Sequence, residues 1–89
     1  MTGFIGMDPE SVRALARQLE FKAAEIEAIA TTLSAQIDGT TWLGQDADAL
    51  RSDWSSTYRT QLVSVAAVLR EASSRAINNA AQQEEASRA

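Results

Sequence analysis

The 89-residue sequence contains no cysteine and no histidine. Without cysteine there is neither a disulfide scaffold nor a thiolate metal site. Without histidine the commonest general base and the commonest metal ligand are missing together. Proline occurs once, at Pro9, and glycine four times, always before residue 45. Few breakers and only 6 % aromatic residues, against 45 % hydrophobic residues rich in alanine, make an all-helical composition. The net charge of −4 and pI near 4.6 argue against a basic, phosphate-binding face, so no nucleic-acid partner is expected. The opening MTGFIGMDPE lacks lysine and arginine, and no later run approaches a membrane span. Neither a cleaved secretory signal nor a transmembrane helix is expected, so the chain is cytosolic or leaves the cell by a route that reads something else.

What is present is a pair of long periodic segments in a single domain spanning 1–89. Asp8 is suited to N-cap a helix, Pro9 to its first position, and Glu10 to the positive end of its dipole. No breaker follows before Gly39, which predicts a helix over 8–38 with Gly39 in the left-handed conformation that ends helices. Within it Val12, Leu19, Ile26 and Leu33 recur by sevens, Leu15 and Ile29 lie on the next line, and Ala16, Ala23, Ala30 and Ile37 form a small-residue margin. Phe21 lies off this stripe, so it is exposed or a second surface covers it. A turn over 39–44 leads to a second helix, 45–80, with Asp46 and Asp48 in its first turn. Its stripe runs Ala47, Leu50, Trp54, Tyr58, Leu62, Val65, Leu69, Ala72 and Ala76, widened by Val68, and the polar tail 81–89 is expected to fray.

Helix, short turn, helix predicts an antiparallel hairpin. A lone hairpin of this length buries one seam, while its stripes cover more lines than one neighbour can occupy. Each Leu, Ile or Val fully buried contributes about 1.5–3 kcal/mol, so a second layer decides folding. The expectation is a dimer closing into a four-helix bundle, with the interface drawn from Val12, Leu15, Leu19, Ile26, Ile29, Leu33, Ile37, Leu50, Trp54, Tyr58, Leu62, Val65 and Leu69.

The turn itself, DGTTWLGQDAD, places Trp42 in the tightest bend of the chain, followed by Leu43 and Gly44. An indole there can cover the end of the hydrophobic seam and keep its N–H wet, while glycine permits a sharp reversal. Trp42-Leu43-Gly44 between two helices of similar length, in a short acidic chain, resembles the WXG family of ESAT-like type VII secretion proteins. WLGQDADALRSDW also resembles the usual opening of the second helix in that family. The resemblance spans essentially the whole chain. It implies a small secreted protein or virulence factor, exported through the cytoplasm as a folded dimer by a membrane ATPase, without a cleaved signal peptide. It also assigns an export-signal role to Trp42 and Gly44. The tail motif of the family, a tyrosine followed four residues later by an acid, is missing: Ala76 and Ala80 stand in its place. This favours a heterodimer with a paralogous, signal-bearing WXG partner over a homodimer. An alternative is an intracellular adaptor that pairs with a larger WXG- or LXG-type toxin, and a third reading is a membrane-active effector.

No catalytic set emerges, since serine and threonine have no histidine as base. No cofactor or metal is expected either. Asp46, Asp48 and Asp53 are read as dipole-complementing or solvated acids, and Glu84 and Glu85 as a solvated end. Arg51, Arg59, Arg70 and Arg75 are read as surface ion-pair partners, and Trp54 and Tyr58 as core packing.

Overall fold

A computed structural model describes residues 6–88, all of them helical, turn or irregular, without a strand. The reading of the first residues as no secretory leader falls largely on 1–5, outside the described residues. Two long helical rods are joined by a short connection. The first is α1, Pro9–Gly39. The second is continuous and consists of α2 (Gln45–Asp53), a π-helical turn (Trp54–Tyr58) and α3 (Arg59–Arg88). The rods lie side by side in a hairpin-like arrangement with Cα extents of 66 × 16 × 14 Å.

α1 starts as its sequence demands. The Asp8 carboxylate accepts from the Glu10 N–H at 3.3 Å and from the Ser11 hydroxyl at 2.7 Å, and Pro9 follows in the first turn. Its end differs from expectation. Gly39 is the last helical residue and does not take positive φ; the chain leaves through Thr40 in an extended conformation. Terminal carbonyls are met by side chains instead: the Thr40 hydroxyl donates to Gln36 O at 2.6 Å, and Arg51 reaches Ile37 O. At the other extreme, the tail expected to fray beyond residue 80 continues as helix to Arg88. Ala80 is fully buried against α1, and the Arg13 guanidinium forks onto the Glu84 carboxylate, with one arm at 2.9 Å. These contacts anchor the last turns.

The seam between the rods is made of small side chains. Ala16, Ala23 and Ala30 on α1 are buried, as are Ala47, Trp54, Ala66, Ser73 and Ala80 on the second rod. Alanine at heptad spacing lets the backbones approach closely. Ser73 fits the same seam because its hydroxyl donates to Ala16 O at 2.8 Å, satisfying a buried polar group and fixing the register. Among the described residues Trp54 is the large member of the buried seam; its indole N–H donates to Ser34 Oγ at 2.8 Å, and the Ser34 hydroxyl donates to Ala30 O, also at 2.8 Å.

The π turn explains a shift of phase. Ala47 and Trp54 share a heptad line, as do Ala66, Ser73 and Ala80, but the two lines are out of step. One extra residue accommodated at Trp54–Tyr58, where the Arg59 N–H bonds to Trp54 O, brings both onto the seam. In consequence the expected second stripe is split. Trp54 faces its own partner helix, whereas Tyr58 and Val65 are exposed.

Candidate functional site

The seam fixes the orientation of everything else. Taking Ala16, Ala23 and Ala30 as the inward line, Val12, Leu19, Ile26 and Leu33 stand about 50° to one side, and Leu15 and Ile29 about 100°. On α3, Leu62, Leu69 and Ala76 stand about 50°, and Val65 and Ala72 about 100°, in the same rotational sense. The rods run in opposite directions, so equal rotation brings both sets to one side of the pair. That side is a broad apolar face, interrupted on the Leu15–Ile29 line by the exposed Lys22. Val12, Leu19, Ile26, Leu62, Leu69, Ala72 and Ala76 are half-buried at its centre. Leu15 (55 % exposed), Ile29 (51 %), Leu33, Leu50, Tyr58 and Val65 are open to solvent.

The opposite side is ionic. Arg70 forks onto Glu27, one arm at 2.8 Å, and its Nε donates to Glu20 at 3.3 Å; Arg13 pairs with Glu84 on the same side. The hydrogen bonds from Arg70 hold the Glu27 carboxyl below the usual glutamate range, and those from Arg13 do the same for Glu84. Phe21 is on this side too, 66 % exposed, bordering a shallow notch with Ile77.

Of the residues expected at the interface, all but Trp54 and Ile37 have a place on the apolar face. Trp54 is spent on the internal seam. Ile37 continues the Ala16–Ala23–Ala30 line and is half-buried at the turn end.

The turn is built by two residues with different tasks. Gly44 has φ +120° and ψ 177°, a region that side-chain-bearing residues avoid, and it N-caps α2. A Cβ at this position would meet nothing within 4 Å, so backbone conformation rather than space calls for glycine. Trp42 is 42 % exposed and lines a shallow concavity of about 260 Å³ with Leu33, Gln36, Ile37, Thr40 and Leu50; Leu43 beside it is 88 % exposed. The indole therefore extends the apolar face onto the tip of the molecule.

Arg51 was misjudged by sequence reasoning. Among the described residues it makes no ion pair with an acid; its guanidinium is turned onto main-chain carbonyls of the turn. The only signal available was its place two turns into α2, opposite a helix end with no basic residue in its last turn.

Ala80, near the end of α3, has no exposed surface. Among the described residues, no group of acids is placed to hold a metal ion, and no helix is long and apolar enough to cross a membrane. No protein-family model, curated protein sequence or solved structure matches the chain.

Proposed function

We propose that this protein is a non-enzymatic subunit exported by a type VII secretion machine, working as one half of a four-helix bundle. The observation that carries the proposal is the junction of two features at the turn. Trp42 is offered half-exposed at the tip, on a backbone bend that needs Gly44, at the end of an uncovered apolar face. A compact protein of 9.6 kDa exposes about 5,100 Å²; this chain exposes 6310 Å². The excess, about 1,200 Å² on one chain, is more than the roughly 800 Å² that each partner gives up in a standard interface. The intrachain seam buries mostly alanine, which contributes little per residue, so the larger gain lies with the Leu, Ile and Val side chains still facing water.

The partner is a second hairpin of the same kind. Its apolar face covers Val12–Leu33 and Leu50–Leu69, leaving the ionic sides outermost. Alanine at 76 and 80, where the family would place a tyrosine and an acid, favours a paralogous partner that carries them, and the secretion ATPase reads Trp42 and Gly44 together with that partner's tail.

In the native host, Trp42→Ala should preserve the mass of the dimer in sedimentation and abolish extracellular accumulation of the pair. Unchanged secretion refutes the signal role. A well-folded, non-associating single chain at micromolar concentration refutes the bundle. Recovery of a large toxin in place of a small sister chain would instead make the protein an adaptor.

A further inference from the structure

We propose that Arg51 is the positioning residue for the turn tryptophan. The claim that this matters for export rests on the reading of Trp42 as the recognised group; the positioning itself does not.

From α2 the guanidinium reaches three carbonyls across the bend. Nη1 donates to Trp42 O at 2.9 Å and Nη2 to Thr40 O at 2.9 Å, while Nη2 and Nε both donate to Ile37 O at 3.3 Å. Arginine can do this because its donors form a rigid planar fork. A lysine ammonium is a single point and cannot span carbonyls spread from residue 37 to residue 42. The positive charge also sits at the negative end of α1, where Asp38 is the nearest charged residue of that helix and no basic residue is present.

Trp42 also packs beside Leu33, Ile37 and Leu50, but among the described residues no other hydrogen bond holds its backbone. Thr40 Oγ1 bonds back into α1, and the Asp48 N–H bonds to Gly44 O within the start of α2. Among the described residues, the Arg51–Trp42 contact is the one hydrogen bond that ties residues 41–43 to either helix. Gly44 permits the bend but, as the least restricted residue, does not hold it in one shape. Removing the guanidinium therefore frees the turn while the alanine seam still holds the rods. Trp42 keeps its chemistry and loses its fixed orientation.

The test is NMR relaxation on the full chain, in complex with its partner if it requires one. In Arg51→Gln, the backbone order parameters of residues 41–43 should fall from the rigid range near 0.85 to below about 0.6. The Trp42 indole N–H should loosen with them, and the Trp54 indole should stay unchanged as the internal reference for the seam. Arg51→Lys, which keeps the charge at the end of α1, should fall between the two and serves as the readout if the glutamine variant is poorly folded. Dimer mass should be retained and export lost. Rigid residues 41–43 in both variants, or equal loosening of Trp42 and Trp54, overturns the proposal, because a general structural role would move both indoles. A mobile turn with normal export upholds the positioning and removes the recognition role of Trp42.

Discussion

Deleting Ser56 from the π turn should leave the packing of the two rods intact, whereas inserting one alanine after it should break it. From Trp54 to Ala66 the chain advances twelve residues between two seam positions. At about 100° per residue, an unbroken α-helix would carry Ala66 about 120° past the seam. With one residue absorbed, eleven remain, which is within about 20° of three full turns. Removing Ser56 supplies those eleven as plain α-helix. The loss is a hydroxyl contact to Ser52 O at 2.7 Å, an acceptor that Ser55 also serves. The expected change in unfolding free energy is within about 1 kcal/mol. An inserted residue instead brings Val65, Ala72 and Asn79 to the seam in place of Ala66, Ser73 and Ala80. Valine where Ala66 leaves no space costs about 1–3 kcal/mol. A buried, unpaired Asn79 amide costs about 1–3 kcal/mol more, and the lost Ser73–Ala16 hydrogen bond about 1 kcal/mol. The sum rivals the whole stability of a small domain. Urea unfolding followed by far-ultraviolet circular dichroism reads both variants. If the deletion destabilises as much as the insertion, the π turn is not a phase corrector and the reasoning fails.

Two further outcomes follow from the seam and the ionic side. Ala23→Leu places a branched side chain at a seam position with no exposed surface, and should cost about 1–3 kcal/mol, seen as a lower melting temperature; an unchanged melt would mean the rods are not closely apposed there. Glu27 and Glu84 have folded-state carboxyls depressed by Arg70 and Arg13, so their contribution is fully present above the ordinary glutamate range and is lost as pH falls into the depressed values. Melts at successively lower pH should show a decline that Glu27→Gln flattens; an identical decline in that variant would deny the Arg70 pair its share.

Much of the fold was legible in residue spacing. Asp8-Pro9 marked the first helix start, and the heptad lines Ala16–Ala23–Ala30 and Val12–Leu19–Ile26–Leu33 are the inward line and its apolar neighbour. The second rod was harder. Two steps of four, from Trp54 through Tyr58 to Leu62, followed by one of three to Val65, make a smooth stripe that glides over the π turn, because periodicity alone fits a phase shift as easily as a wide face. The mismatch between Ala47–Trp54 and Ala66–Ser73–Ala80, both runs of seam-compatible residues, was the available clue. At the site, Trp42 and Gly44 stood out because bulk and glycine are conspicuous in a turn. Arg51 did not, because capping a helix from a neighbouring one leaves no local pattern. The helical tail was likewise hidden, since the polar residues after 80 are held by Arg13, far away in sequence.

The polar contacts that bridge the rods form a graded series. Starting from the turn, Arg51 to Ile37 spans 14 residues, Trp54 to Ser34 spans 20, Arg70 to Glu27 spans 43, Ser73 to Ala16 spans 57 and Arg13 to Glu84 spans 71. Loop-closure entropy grows only with the logarithm of loop length, and a loop already closed shortens the next. The chain can therefore zip from the bend outward, each rung adding a small entropic step to the one before. The bend nucleates what the far ends complete, and a weakened Arg51 would be felt first in how fast the rods find each other.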